Sequence, residues 1–356
     1  MATRYDYADD RELTLGRKLL RFNWLLAGLL AAVAAVGFAM LYSIAGGSLD
    51  PWARTQIVRF ALGFGVMMLV ALIDLRFWRA FSAPFYALSL LLLVLVEVAG
   101  ARGMGAERWI LIGPIRVQPS ELMKVALVLV LARYYQWLDP ARVSRPLWVA
   151  IPILLALAPA ALVIKQPDLG TALLLLAGAA VLMMLAGVSW WYFGVGALAV
   201  AAAVFMVLES KGTDWQLLKD YQYSRIDTFL NPSPDDRRGD GYNIDQAKIA
   251  IGSGGFDGKG FEEGTQKRLG FVPELHTDFI FTTLAEEFGF RGGILLLSAY
   301  LGIVLLSMLA AARIRSAFGR LVAAGVATTF FLYFAINMGM VSGLLPVVGV
   351  PLPLVS

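Results

Sequence analysis

The chain has 356 residues, 59% of them hydrophobic and 16% charged, against roughly 45–50% and 25% in soluble domains. It carries 30 Lys and Arg against 26 Asp and Glu (formal charge +4), one histidine and no cysteine. Disulfides, thiolate metal sites and cysteine nucleophiles are therefore excluded, and a histidine-based zinc site lacks ligands. No stretch has the signature of nucleic-acid binding, and the composition is that of an all-α polytopic membrane protein.

A membrane-spanning helix needs about 20 apolar residues, with a range near 17–25. Nine such runs are predicted, at about 22–43, 57–74, 82–99, 119–136, 147–165, 169–187, 190–208, 279–311 and 320–344, all in a single membrane domain, 1–356. The first follows Arg17, Lys18 and Arg21. It exceeds the apolar core of about 7–15 residues in a cleavable signal peptide, so it reads as an uncleaved anchor. The eighth run is longer than a bilayer requires, which predicts interfacial first turns or a tilted helix.

Basic residues cluster in alternate connections: Arg4 to Arg21, then Arg76 and Arg79, then Arg133, Arg142 and Arg145, then Arg313, Arg315 and Arg320. The intervening loops hold fewer, namely Arg54, Arg102, Arg108 and Arg116. The excess of positive charge on one side places the N-terminus in the cytoplasm. Residues 209–278 then form one large extracytoplasmic loop. Asp245 to Gly252 is a candidate short amphipathic helix within it. Seven glycines fall in the nineteen residues from Gly252 to Gly270, which requires turns or close backbone approach. This segment fails the dinucleotide and P-loop tests, since Asp257 and Phe261 stand where Gly and Lys are needed. An anion nest or a flexible lid remain as readings.

Ionisable groups near a membrane boundary cost free energy unless paired or hydrated, so they mark candidate functional positions. Asp278 opens the eighth apolar run, beside the lone His276. It is either an N-cap or a working carboxylate, and Thr277 is able to take the capping role. Glu286 lies eight residues on, on the same helical face. Glu121 and Lys124 open the fourth span at i,i+3 spacing, after the helix start Pro119-Ser120. Lys165-Gln-Pro-Asp-Leu-Gly-Thr171 repeats the device before span six, with Asp168 at a helix start. Arg108, Arg116, Lys124, Lys165 and Arg225 all fall on the outer side with Asp278, Glu121 and Asp168, which predicts one polar cleft open to that side. The Trp190-Trp191-Tyr192 cluster is explained by an interfacial aromatic belt.

Six ordered stretches, Gln118–Lys124, Gln166–Thr171, Ile249–Gly255, His276–Phe281, Ala285–Gly289 and Gly343–Ser356, resemble the SEDS family (shape, elongation, division, sporulation), and within it the rod-shape branch, RodA, more than the division branch, FtsW. The resemblance covers essentially the whole chain. It departs at Asp257, where the family usually has an apolar residue, and at Ser356, beyond which the family continues into a tenth span.

The resemblance implies a peptidoglycan glycosyltransferase of the bacterial inner membrane that polymerises lipid II, with its active site on the periplasmic side. It implies a class B penicillin-binding transpeptidase and the elongation complex as partners, alongside membrane lipid. By the same resemblance Asp278 corresponds to the essential carboxylate. Glu121, Lys124, Arg108, Asp168 and Thr171 match cavity residues, and Lys165, Arg225, His276 and Glu286 join them as candidates for substrate binding. Asp278 is expected to act as general base or to help hold Mg²⁺ or Mn²⁺ against the pyrophosphate. The basic groups are expected to offset charge on the leaving pyrophosphate. A lipid II flippase, a division-type paralogue and a non-catalytic scaffold are the alternatives.

Overall fold

The computed structural model describes residues 16, 20, 22–99, 101–103, 106–112, 115–166, 168–213, 216, 223, 240–265, 275–347 and 349–356. Nine of its helices coincide with the predicted runs. They are α1 (Trp24–Ile44), α2 (Trp52–Leu72), α3 (Leu75–Ala99), α4 (Pro119–Trp137), α5 (Pro146–Lys165), α6 (Leu169–Leu185), α7 (Trp190–Glu209), α9 (Ile280–Arg313) and α10 (Ala317–Val341). Between α7 and α9 lies α8 (Asp240–Gly254), longer than the amphipathic helix expected there.

The helix starts follow local chemistry. Asn23 Oδ1 accepts from Leu26 N (3.1 Å) at α1, and Asp168 Oδ1 accepts from Thr171 N (3.1 Å) at α6. Pro119 and Pro146 sit in the first turns of α4 and α5, where no amide is missed.

Two large cores hold the bundle, beside a smaller one of Ala247, Leu275, Phe279, Met340 and Val341. One joins α3, α4, α5 and α6 with the start of α10, through Leu93, Met123, Leu131, Leu182 and Phe318. At its centre a Cβ on Gly325 would come within 2.7 Å of Val128 and 2.8 Å of Leu182, so glycine lets α10 approach α4 and α6. The other core joins α1, α9 and α10 to the segment 349–356, through Met40, Ile280, Tyr300, Phe334 and Leu352. By contrast α2 buries only Ala53, and α7 buries nothing. Leu62, Val66, Leu69, Leu198, Val200 and Phe205 stand on their outer faces. So much apolar surface is stable only with lipid as the solvent. Seven helices among the described residues are long and apolar enough to cross a membrane, and the chain is a multi-pass membrane protein.

Two features depart from the sequence reading. The connection from α3 to α4 is not an irregular loop, and the fold is not purely helical. Strands β1 (Ala101–Gly103), β2 (Ala106–Ile112) and β3 (Ile115–Val117) form an antiparallel sheet in the order β1-β2-β3, pairing Arg102 with Glu107 and Leu111 with Arg116. Strands this short are stabilised by cross-strand partners, and their hydrophobic period is too brief to register. The second departure is in α9. Its 34 residues are two helical pieces meeting at Gly289, whose φ of 62° and ψ of −159° are not helical. The excess length of the eighth apolar run is thus the sum of two pieces.

Candidate functional site

A helix broken within a membrane protein exposes carbonyls on one side of the break and amides on the other, and these must find partners. The glycine-rich segment after α8 supplies them. Lys259 N and Gly260 N donate to Glu286 O and Glu287 O (3.0 Å each), while Phe290 N and Arg291 N donate to Gly255 O (2.9 Å) and Phe256 O (3.2 Å). Backbone meets backbone so closely that a Cβ on Gly258 would lie 2.2 Å from Glu287 O, and one on Gly289 would lie 2.4 Å from Gly258 N. Over its described residues, 252–265, the segment is braced against α9 and is not an independent lid. The amides of Gly255, Gly258, Lys259, Gly260 and Glu263 are engaged by protein carbonyls, which takes those donors from an anion nest.

Glu286 is drawn into the same junction. Its buried Oε1 accepts from Lys259 Nζ (2.6 Å), Thr265 N (2.9 Å) and Thr265 Oγ1 (2.9 Å). Glu286 was expected to share a working face with Asp278, but its carboxylate instead ties the loop to α9. On the neighbouring residue, Glu287 Oε1 accepts from Ser43 Oγ of α1 (2.5 Å).

Asp278 lies in the turn 275–279, one residue before Phe279, the N-cap of α9. The Phe279 side chain makes no cap bond. Asp278 is half-buried. Its position is set from two sides. Asn337 Nδ2, fully buried on α10, donates to Asp278 O (2.9 Å) and to Val350 O (2.7 Å). A Cβ on Gly349 would stand 3.6 Å from Asp278 Oδ2, an ordinary contact, so the segment 349–356 runs directly beside the carboxylate. The ring of His276 stacks on Trp52 at the start of α2 (4.8 Å between centroids, 20° between planes).

A cavity of about 320 Å³ opens between α4 and α10, lined by Glu121, Lys124, Val125, Tyr333, Pro351 and Pro353 among others. Lys124, 6% exposed, forms an ion pair with Glu121 Oε1 (2.7 Å) and lies over the Tyr333 ring (4.3 Å to its centroid). Tyr333 Oη also donates to Glu121 Oε2 (3.1 Å). Asp168, at the start of α6, is close enough to act on the Lys124 charge. Burial makes the Lys124 charge depend on these partners, since the ammonium alone would be costly to bury, while the Glu121 side chain is 53% exposed. Apart from Thr329 the remainder of the wall is apolar, as in most small-molecule sites.

The structure thus brings Glu121, Lys124 and Asp168 near one another, with Thr171 joined to Asp168 through its backbone amide. Asp278 does not line this cavity, although the segment beside its carboxylate at Gly349 continues directly into the wall at Pro351 and Pro353. Lys165 is exposed in the last turn of α5, and Arg116 is exposed on β3. Arg108 belongs to the backbone of β2; its side chain, like all of Arg225, lies outside the described residues.

The sequence reading missed Asn337 and Tyr333. A buried amide in an apolar helix is a signal that could have found Asn337; an aromatic residue in a span is too common to single out Tyr333. For a divalent cation the donor set is thin. Among the described residues no three His, Asp or Glu side chains gather in a way that could hold one, so a resident, protein-enclosed ion does not fit. Asp278 offers the single carboxylate that Mg²⁺ uses when substrate phosphates complete its shell.

The architecture and the buried polar groups define a helical, multi-pass membrane protein with an ionisable site at one end of its bundle. A family model described as cell cycle protein, FTSW_RODA_SPOVE, matches residues 17–356, and the chain belongs to this family. It is 40% identical over 329 residues to peptidoglycan glycosyltransferase MrdB of Escherichia coli K12, covering 92% of this chain and 86% of the relative. A probable peptidoglycan glycosyltransferase FtsW of Trichlorobacter lovleyi is 34% identical over 95% of this chain and 89% of its own. Among solved structures, a chain from a peptidoglycan synthase complex that couples polymerization and crosslinking aligns with a TM-score of 0.81 at 33% identity, covering 95% of this chain and 92% of that one. The rod shape determining protein RodA of Thermus thermophilus aligns at 0.68 and 30% identity, covering 95% and 90%.

Proposed function

We infer that this chain polymerises lipid II into glycan strands during cell elongation. It is a peptidoglycan glycosyltransferase, and the observation that carries this is its 40% identity to the Escherichia coli enzyme over 92% of its length. The weaker 34% match to an FtsW relative supports the rod-shape branch. In this reading nine helices cross the inner membrane, the N-terminus is cytoplasmic, and the loop 209–278 with Asp278 faces the periplasm.

The acceptor sugar hydroxyl attacks the anomeric carbon of the donor from the face opposite the pyrophosphate. The new C–O bond forms as the bond to undecaprenyl pyrophosphate breaks, with inversion. Asp278 takes the hydroxyl proton as general base. Lys124, with Arg108, offsets the charge on the departing pyrophosphate, and Glu121 and Tyr333 hold the Lys124 ammonium in place. The cavity between α4 and α10 is fitted to the prenyl-linked end of a substrate. A cation, Mg²⁺ or Mn²⁺, would arrive with the pyrophosphate and take Asp278 as its one protein ligand; no step above depends on it. A class B penicillin-binding transpeptidase and other elongation proteins are the proposed partners, in keeping with the synthase complex that this fold resembles.

A flippase would need polar groups spaced along the crossing. Helices α5, α6 and α7 carry ionisable residues only at their ends, Lys165 and Glu209, which favours the enzyme. The test is polymer formation from purified protein, lipid II and divalent cation, with Asp278→Asn alongside. Wild type should form glycan strands, and the variant should form none while keeping the wild-type unfolding temperature. Polymerisation by a folded Asp278→Asn protein at the wild-type rate would remove Asp278 from the mechanism.

A further inference from the structure

At the opposite end of α4 from Lys124 lies a second cavity, of about 470 Å³, walled by Arg79 and Ala80 of α3 and by Arg133, Gln136 and Trp137 of α4. Nine residues of helix separate Lys124 from Arg133, about 14 Å along the axis, so this cavity is distinct from the reaction site. We propose that it is a binding site for the phosphodiester headgroup of an anionic phospholipid.

Three observations carry the assignment. The first is charge. Two guanidiniums face one hollow, and Arg142 and Arg145 follow within the next turns of chain. Among the described residues, Asp74 Oδ1 accepts from Arg76 N (2.6 Å) and Asp139 Oδ1 from Ala141 N (3.0 Å), each a local cap. Among the described residues Arg133 forms no ion pair; its Nη1 donates to Ala80 O (3.3 Å). That bond uses one of five donors and sets the guanidinium against α3, leaving the others for an oxygen-rich ligand.

The second is depth. Trp137, 69% exposed, stands at the C-terminal end of α4, with Trp148 at 5.7 Å and Arg142 over the Trp148 ring at 5.8 Å. Tryptophans at helix ends mark the headgroup level of a bilayer. The third is the adjoining surface. Phe77, Phe81 and Phe85 stack in sequence along α3 at 5.5 Å intervals, with Phe77 half exposed. The stack runs from the Arg79 end of α3 toward the bilayer centre, on another side of that helix from Arg79, and is apolar surface at the same depth for lipid to cover. Basic pockets between helices on the cytoplasmic side recognise anionic headgroups, and a planar Arg pair matches a phosphate better than diffuse lysines do. A soluble phosphate would use the arginines but gain nothing from Trp137.

The inference rests on the chain being embedded in a bilayer, not on its enzymatic activity, so it is tested by lipid binding. Delipidated wild-type protein in neutral detergent is titrated with phosphatidylglycerol, phosphatidylcholine or inorganic phosphate, and bound species are counted by native mass spectrometry. Phosphatidylglycerol should bind in preference to phosphatidylcholine. Arg79→Gln/Arg133→Gln should weaken that binding about thirtyfold, since each basic group near the surface accounts for about a fivefold effect. Arg315→Gln, at the same end of the bundle but away from the cavity, should change it less than twofold. Arg133→Lys, a gentler change, should give an intermediate loss and covers the case in which the double variant does not fold. Equal phosphatidylglycerol binding by wild type and Arg133→Lys or the double variant would overturn the site. So would an equal loss in Arg315→Gln, or inorganic phosphate competing as well as the lipid, which would leave only a generic anion site.

Discussion

The junction between the glycine-rich segment and the broken helix α9 makes a quantitative prediction from three neighbouring glycines. Gly258 has φ of +84°, and a Cβ there would lie 2.2 Å from Glu287 O and 2.7 Å from Gly289 N. Both obstacles are backbone and cannot rotate away. Gly258→Ala therefore pays roughly 1–2 kcal/mol for a left-handed alanine. It also forces the strands of the junction apart, at about 1 kcal/mol net for each of the bonds from Lys259 N and Gly260 N, for a total near 3–4 kcal/mol. Gly255 has φ of +57° but open space around its Cβ, so Gly255→Ala should cost only the conformational part, about 1–2 kcal/mol. Gly252, with open space and no positive φ, lies inside α8, and Gly252→Ala should be neutral or stabilising by up to about 1 kcal/mol. Thermal unfolding of the detergent-purified proteins, followed by tryptophan fluorescence, should rank them Gly252→Ala, wild type, Gly255→Ala, Gly258→Ala. The polymer yield of Gly258→Ala should fall with its stability, because Asp278 lies in the turn that leads into the first piece of α9. A Gly258→Ala protein as stable as Gly255→Ala would show that the segment does not brace the break.

The ion pair at the same junction should be asymmetric. Lys259→Met strands the buried Glu286 carboxylate and should cost about 3 kcal/mol, the low end for breaking a buried pair because Lys259 is 25% exposed; Glu286→Gln keeps an oxygen for Thr265 N and should cost less, as read by chemical unfolding. Asn337→Ala removes the amide that joins Asp278 O to Val350 O. It should destabilise by about 1–3 kcal/mol and lower kcat for lipid II polymerisation more than it changes KM, since the carboxylate proposed as general base is displaced while the cavity stays in place. Tyr333→Phe loses the hydroxyl bond to Glu121 but keeps the ring beneath Lys124, whereas Tyr333→Leu loses both. The leucine variant should therefore raise KM severalfold beyond the phenylalanine variant, by about 0.5–2 kcal/mol of binding. Equal effects in steady-state kinetics would show that the cation–π contact is idle.

The helices were legible before any coordinates. Each predicted apolar run meets an observed helix, because twenty apolar residues bounded by Pro119, Pro146, Asp168 or Asn23 carry both the reason to span a bilayer and the local signal to start. The pairing of Glu121 with Lys124 followed from i,i+3 spacing alone, and Asp278 and Asp168 were found because charge is rare in so apolar a chain. These are statements about neighbours along the chain. The tertiary structure decided what depends on neighbours across it. Nothing local shows that the amides of 259–260 complete α9, that Glu286 belongs to Lys259 and Thr265, or that Tyr333 and Asn337 stand beside residues far earlier in the sequence. A glycine-rich stretch reads as freedom when viewed alone, yet here its bare backbone is what allows two segments to touch. Hydrophobic period and capping residues act within a few residues of themselves, whereas the partners of a broken helix are chosen only when the bundle closes.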